Sequence, residues 1–597
     1  MTALINPADL QFLLYEVLNT DALLTRPRYA EHDREIFDST LETARQLAEE
    51  VFEPCNAKGD ANEPQFDGKN VTLIPETKAA WDVFAASGLL SAHWDVEEGG
   101  LQLPEVVLRA ALSYFKAANV ATTLYPIVTM AAANLLRTFG SPKLKARFLA
   151  PMGDGRYAGT MAMTEPNQGS TLGDIATRAE QQTDGSYRIF GQKTFISGGD
   201  QCLTENIVHL VLARITGAPA GVKGISLFLV PKVLVNADGS LGERNDVALA
   251  GLLHKMGWRN ATSTALIFGE REGAVGYLLG EAGKGLAHMF QMMNEARIVV
   301  GMFASAIAYR GYLLSLDYAR ERVQGRLPSC KDPLSPQVKL IEHADVRRLL
   351  LAQKAYAEGS LALSLYAAAL YEDQHTHPDE QSRLDAALLL DILTPVVKSW
   401  PSKYGNAAND HAVQVLGGSG YTRDFLLEQL YRDQRLNSIH EGAEAIHALD
   451  LLGRKVVMQG GAAYTLFRNA VDATVAQAAA VRESAQMAAS FDGPLARLDS
   501  VTAQLTALLA TDPDRALANA TVYLDAFGRL VAAWIWLKQA LAAYAGLRKP
   551  GVDVDFYRGK LQAAHYYIAW ELPATVLQFD LLAALDDVPL TMQDAWF

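Results

Sequence analysis

Apolar positions along this chain keep two different periods, and the switches between them divide it. From about residue 34 to 150 they recur at three and four, as in Ile36, Leu41, Ala44, Leu47 and Val51, which is the spacing of amphipathic helices. Asn62 to Pro75, with Gly68, and Val96 to Pro104 interrupt that period with turn-forming residues and read as loops. Between about 157 and 275 the pattern changes to short β-rich runs: Tyr187 to Phe190, Ile207 to Ala213, Ile225 to Val230 and Thr262 to Phe268. Gly, Asn, Asp and Pro separate these runs, so a compact antiparallel sheet is predicted. The helical period returns from Lys284 to Lys455 in long segments, Leu286 to Ala319 and Val338 to Asp373 among them, broken by the Pro-rich stretch Leu327 to Pro336. Long helices with few inward charges predict a bundle. After Gln459-Gly460-Gly461 a further helical region runs to Phe597, with starts expected at Asp512-Pro513 and Asp553, where an acidic cap precedes an apolar run.

This pattern predicts an α+β fold, mainly α, in four parts: 1–156 helical, 157–280 a β-sheet domain, 281–457 a helical bundle and 458–597 a C-terminal helical extension. At 597 residues and 50% hydrophobic the chain can fill several packed units. The formal net charge of -14 argues against a general nucleic-acid surface, so any polyanionic ligand must be held by local arginines. Residues 456–597 carry 10 Lys/Arg against 14 Asp/Glu, a balance of -4, which speaks against DNA binding by the extension. Cys55, Cys202 and Cys330 are widely separated without metal-ligand spacing, so neither disulfides nor a metal site is expected, and a reducing cytosol fits. The N-terminal MTALINPADLQF lacks the features of a secretory or transit signal, and the apolar stretch Leu530 to Ala545 contains Lys538 and is too short to span a bilayer. A cytoplasmic protein without a membrane span is expected.

Candidate chemistry begins with Glu441, set between His440 and Gly442 shortly after the glycine-rich turn Leu416 to Tyr421. A glutamate followed by glycine can sit where backbone comes close to a ligand, with its carboxylate turned to a substrate. One such pair is weak evidence by itself. The segment Met161 to Arg178, MAMTEPNQGSTLGDIATR, and Arg432 to Ile446, RDQRLNSIHEGAEAI, stand in the order and approximate spacing of the acyl-CoA dehydrogenase family, which the chain resembles over roughly residues 35–455. The order of helices, small sheet and bundle is also that of the family. The appended region resembles its longer members, such as the 3-methylmercaptopropionyl-CoA dehydrogenase subgroup and bacterial fatty acyl-CoA dehydrogenases.

The resemblance implies the site residues. Glu441 falls where the family keeps its catalytic base, and the backbone N–H of Glu441 with a flavin hydroxyl would hold the thioester oxygen. Met163, Thr164, Gly169 and Ser170 match the family's T-E-P-x-x-G-S flavin loop. Phe195 and Ser197 stand in its W-I-T-N element, where phenylalanine keeps the ring of tryptophan and loses the indole donor. Arg322 matches the arginine that reaches the FAD pyrophosphate from a neighbouring subunit, although the chain continues Val323-Gln324-Gly325 where the family has an aromatic residue and glycine. Gln414, Gly417 and Gly418 match the element that receives the adenine end; without a βαβ unit or a third glycine this is no Rossmann fingerprint. Asn294 and Arg297, on one helix face, match positions that contact CoA or line the substrate channel.

Two departures bear on the assignment. Some relatives carry their base immediately before the arginine, where this chain has Ala296; Glu295 lies about 100° away around the helix and is a backup base. Where the family reads Y-E-G-T, this chain reads His440-Glu441-Gly442-Ala443, so a hydroxyl is lost and the histidine either tunes the base or replaces tyrosine in packing. The implied activity is FAD-dependent conversion of a saturated acyl-CoA, a fatty acyl-CoA first, to the trans-2-enoyl-CoA. Electrons would leave to an electron-transferring flavoprotein, and a homodimer is expected. Rivals are 3-methylmercaptopropionyl-CoA as substrate, an acyl-CoA oxidase, and a flavin-containing DNA-binding relative.

Overall fold

The computed structural model describes residues 2–597, with the side chains at 290–293 outside that description. Two compact units emerge, one from residues 37–104 and 114–296, the other from residues 1–36, 105–113 and 297–597. They are called the sheet unit and the bundle unit below.

The sheet unit holds an eight-stranded sheet. Its strands are β1 (Tyr157–Ala162), β2 (Arg178–Gln181), β3 (Tyr187–Ser197), β4 (Asn206–Ile215), β5 (Ile225–Pro231), β6 (Val247–Leu252), β7 (Ser263–Phe268) and β8 (Ala274–Leu279). The order is β6-β7-β3-β8-β5-β4-β1, and β2 pairs with β3 and β4. The four runs read from the sequence lie in β3, β4, β5 and β7, but the sheet is mixed and not purely antiparallel. β1 runs parallel to β4, with Tyr157 opposite Asn206, and β2 is parallel to β4 as well. The short, glycine-containing run YAGTMA carries too few β-branched residues to announce a strand, and parallel pairing joins segments far apart in sequence.

On β4, Val208, Leu210 and Leu212 join Trp94, Leu135, Phe148 and Tyr157 in one core, while Val211 and Ala213 join Tyr187, Ile189 and Phe228 in another. Burial on both faces explains its uninterrupted apolar run. The predicted loop from Asn62 to Pro75 contains a two-stranded hairpin, Gln65–Phe66 with Val71–Thr72. Val71 and Leu73 pack there with Trp81 and Tyr125.

The bundle unit is helical. A long helix α1 (Gly285–Glu321) contributes its residues from Arg297 onward, followed by α2 (Ala344–Thr376), α3 (Glu380–Leu416), α4 (Leu427–Leu436) and α5 (Glu444–Asp450). Leu327 to Pro336 is non-helical, as its prolines require. Gln459, Gly460 and Gly461 take φ 51, 68 and 89, and these left-handed residues end the run before the extension. The extension contains α6 (Ala462–Ala479), α7 (Asp492–Leu508), α8 (Ala520–Gly546), α9 (Val554–Tyr566) and α10 (Ala574–Ala583). Both expected caps form: Asp512 accepts from the Arg515 N–H, and Asp553 from those of Asp555 and Phe556. At 27 residues α8 is longer than the stretch Leu530 to Ala545 suggested, and by length and composition it suffices to cross a bilayer. Of its most apolar window 83% is buried in the protein, so it is a core helix here.

Buried polar groups tie both ends of the chain to this unit. Lys560 on α9, fully buried, pairs with Asp9 and with Glu358 on α2 (2.8 Å). Glu358 also pairs with Lys354, and Tyr309 donates to Asp9 at 2.8 Å. A second network joins Asp525 to Tyr404 (2.9 Å) and Lys403 (2.9 Å), and Arg529 to Glu571 (2.7 Å). Paired and hydrogen-bonded in this way, the buried charges escape the penalty of isolation.

Candidate active site

In the sheet unit the candidate residues stand around one buried carboxylate. Glu165 accepts from the N–H groups of Ala176 (2.7 Å) and Thr177 (3.0 Å), the Thr177 hydroxyl (2.5 Å) and the Lys193 ammonium (3.0 Å). Burial pushes its pKa up, but Lys193 and these donors outweigh that and hold it below the ordinary carboxylate range. Lys193, lowered to about 8 by burial against the pull of Glu165, also donates to the Met163 carbonyl at 2.9 Å. Thr194 N–H bonds the Thr164 carbonyl at 2.9 Å, so the loop is sewn to the end of β3.

Phe195 follows directly, at φ 58 and 67% exposed. A left-handed phenylalanine with its ring in solvent is costly on both counts, which marks a surface shaped for something to cover it. Among the described residues the hydroxyls of Thr164 and Ser197 have no hydrogen-bond partner, and Gly169 and Ser170 are exposed. An open ring, two unused hydroxyls and bare backbone suit a planar, polar-edged ligand.

In the bundle unit Glu441 sits in the turn between α4 and α5, at φ 52, and Gly442 follows at φ 96. A Cβ on Gly442 would come within 2.9 Å of His447 Nε2, so glycine is required twice over. His447 Nε2 donates to the carbonyls of Glu441 (3.2 Å) and Gly442 (3.1 Å). Lys398, from α3, donates to the Gly442 carbonyl at 2.6 Å. Among the described residues neither the Glu441 carboxylate nor its backbone N–H has a hydrogen-bond partner. Burial raises the Glu441 carboxyl above the ordinary range, and the Lys398 and Arg297 cations only partly offset it. Burial lowers His440 to about 3, with Lys398 assisting, and lowers His447 to about 3 as well. Both imidazoles are neutral near pH 7, so the His447 proton that meets the two carbonyls is on Nε2. His440 lies 3.3 Å from Asn437 Oδ1. The turn therefore presents a free, readily protonated carboxylate beside a free N–H, which suits proton abstraction next to a carbonyl.

The remaining candidates spread over both units. Arg297 forms a buried pair with Asp450 at 2.6 Å and reaches Thr394 at 3.4 Å. Asn294 is half-buried on α1. Glu295 accepts from Asn134 Nδ2 at 3.1 Å, and Asn134 Oδ1 meets His93 Nε2 at 2.8 Å, which engages this carboxylate in a polar chain of the sheet unit. Arg322, one residue past α1, is exposed and its guanidinium has no partner among the described residues. Gln414 and Gly418 are exposed, and Gly417 closes α3 at φ 58; a Cβ on either glycine would meet nothing within 4 Å. These groups are open to a ligand.

Several participants escaped the sequence reading. Lys398 lies in the apolar run Val396-Val397-Lys398-Ser399-Trp400, and a lysine there is a usable signal because burying it is expensive. His447 and Asp450 follow Glu441 on α5 with nothing local to mark them. Glu165 was visible only as part of a motif; its four donors come from residues 11 to 28 positions away.

Comparison with known proteins adds a frame to this geometry. Family models match along the chain in the order Acyl-CoA dehydrogenase N-terminal domain (residues 37–156), middle domain (160–270), C-terminal domain (283–457) and Acetyl-CoA dehydrogenase C-terminal like (467–593). The chain is 36% identical to the 3-methylmercaptopropionyl-CoA dehydrogenase of Ruegeria pomeroyi over 94% of each chain. It is 34% identical to the broad-specificity linear acyl-CoA dehydrogenase FadE5 of Mycobacterium tuberculosis over 99% of each. A solved structure of acyl-CoA dehydrogenase complexed with FAD from Bacillus anthracis shares the fold at TM-score 0.72 and 20% identity, covering 97% of this chain and 93% of that one.

Proposed function

This chain belongs to the acyl-CoA dehydrogenase family and is an FAD-dependent acyl-CoA oxidoreductase, and from that premise we propose that it converts linear saturated fatty acyl-CoA thioesters to their trans-2-enoyl products with Glu441 as the base. The observation that carries the assignment is the carboxylate of Glu441, left without a donor among the described residues in a turn whose two carbonyls are both bonded. Glu441 takes the proton from the α carbon, and its backbone N–H, without a partner among the described residues, stands ready for the thioester oxygen as charge gathers there. Raised by burial, its carboxyl binds that proton more readily than an exposed glutamate does. FAD, when bound, supplies the acceptor for the β-hydrogen and its electron pair.

In the sheet unit Met163, Thr164, Gly169, Ser170, Phe195 and Ser197 would hold the flavin ring, by exposed backbone, free hydroxyls and an open aromatic face. In the bundle unit Arg322 offers a planar guanidinium for phosphate, and Gln414, Gly417 and Gly418 offer an uncrowded helix end for the adenine portion. Asn294, Arg297, His440 and Gly442 would line the acyl-CoA path, Arg297 through its pair with Asp450. An electron-transferring flavoprotein is the proposed acceptor, a homodimer the proposed assembly and the cytoplasm the proposed location, the last in keeping with three unpaired cysteines.

The second reading takes 3-methylmercaptopropionyl-CoA as substrate, favoured by the Ruegeria pomeroyi relative at 36% identity. One experiment tests both: purified, FAD-loaded protein is offered short, long, branched and methylmercapto thioesters, with turnover scored by reduction of an artificial acceptor. Preference for straight chains supports the first reading and preference for the thioether the second. Absence of turnover on every thioester overturns the assignment, and peroxide formed at turnover rate under air makes the protein an oxidase.

A further inference from the structure

We infer that Lys398 is a positioning residue for Glu441: its ammonium clamps the Gly442 carbonyl at 2.6 Å and supplies the positive charge against which the neighbouring carboxylate ionises. This rests on Glu441 as the base and adds what keeps that base in place and ready.

Lys398 is 1% exposed on α3, between Pro395 and Pro401. Three other buried lysines, Lys193, Lys455 and Lys560, each touch a carboxylate, at Glu165, Asp391 and Asp9. Lys398 touches a backbone carbonyl instead, and among the described residues no carboxylate lies within ion-pair distance of it. A buried ammonium without a carboxylate in contact is unfavourable for folding, and a methionine would pack there at lower cost. What the lysine gains is its position beside the Glu441-Gly442 turn. Clamping the Gly442 carbonyl from α3 while His447 clamps it from α5 fixes a turn in which Glu441 holds a left-handed conformation that a residue with a Cβ disfavours.

The charges around Glu441 single out Lys398 as the cation that serves it. From α1 comes Arg297, bound to Asp450 on α5 at 2.6 Å, with Arg454 also on Asp450. From α5 come Glu444, which adds negative charge, and His447, which is neutral. His440 from the turn itself is neutral too. On α3, Asp391 is taken up by Lys455 at 2.8 Å, and on α8, which packs against α5, Asp525 and Arg529 pair with each other at 3.4 Å. Lys398 remains as the cation without a carboxylate in contact. Its ammonium, lowered to about 8 by burial against the pull of Glu441 and Glu444, is still charged at neutral pH.

The test uses the FAD-loaded enzyme with Lys398→Met and Lys398→Arg, following FAD content, the pH dependence of kcat/KM, and the infrared carboxyl band of Glu441, identified by its loss in Glu441→Gln. Removing the charge should lower kcat at least about tenfold and move the acid limb of kcat/KM, together with the titration of the band, upward by about one pH unit. Lys398→Arg should return the limb most of the way, and FAD content should stay that of the wild type. A wild-type acid limb and band titration in Lys398→Met overturn the inference and leave the lysine a packing role. Should Lys398→Met fail to fold, Lys398→Gln keeps a donor for the carbonyl without the charge, and the same shift or its absence decides. A wild type inert toward every acyl-CoA would instead overturn Glu441 as base, while the band titration, which needs no turnover, would still decide what Lys398 does.

Discussion

Two glutamates, Glu165 in the sheet unit and Glu441 in the bundle unit, show how one side chain is put to opposite uses. Both stand beside a buried lysine, Lys193 for Glu165 and Lys398 for Glu441. Glu165 receives four donors and is held below the ordinary carboxylate range, so it stays charged and braces the Met163–Thr177 loop. Glu441 receives none among the described residues and is pushed above that range, so it is ready to take a proton. A carboxylate saturated with donors acts as a strut; one left unsaturated is available as a reagent.

Glu441→Gln should break the contrast most sharply. It keeps size and removes the proposed base, so turnover should fall by about 10² to 10⁴ while FAD content is unchanged. Because the base must be ionised and its carboxyl is raised, the acid limb of wild-type kcat/KM should lie above the ordinary 4.5. A limb at or below that value would contradict the environment described for the turn.

Glu165→Gln should instead fail as a structural change. It leaves Lys193 buried without its counter-ion, at a cost of about 3 to 5 kcal/mol, read as a drop in Tm and loss of FAD. Its folded pKa is depressed, so the stability it brings is full above the ordinary 4.5 and drains away as pH falls through the folded value. Glu165→Gln should lack that acid-dependent loss in thermal denaturation. An unchanged Tm would remove Glu165 as a strut.

Arg322→Ala comes next, with FAD affinity weakened by about 1.5 to 3 kcal/mol in equilibrium titration and the fold intact. Unchanged affinity would leave Arg322 a solvated side chain. The smallest effect is expected at Glu295→Gln, which keeps a hydrogen-bond acceptor for Asn134 and so should change stability by about 1 kcal/mol or less and retain most activity. If Glu295→Gln is dead and Glu441→Gln is active, the base lies on α1 and the contrast between the two glutamates collapses.

The extent to which this was legible in the sequence follows the range of the interactions. Helix starts at Asp512 and Asp553 and the break at Gln459–Gly461 depend on a few adjacent residues, and all three form where expected. β1 was missed because its pairing with β4 spans almost 50 residues and its own composition is neutral. Around Glu441 the chain announced the glutamate and the glycine, but Lys398 and Arg297 arrive from helices more than 40 and 140 positions away. A pKa is a property of that assembled neighbourhood, so the direction of the Glu441 shift had no local signature.

The buried quartet of Asp9, Lys354, Glu358 and Lys560 has a consequence for the order of events during synthesis. Asp9 and Lys560 stand about 550 positions apart, so translation supplies Lys560 long after Asp9. Until Lys560 emerges, Asp9 lacks the cation it contacts in the folded unit. The sheet unit, complete by residue 296, can close early. The bundle unit draws on residues 1–36 and 297–597 together, so it cannot complete this quartet until the helix that carries Lys560 has been made.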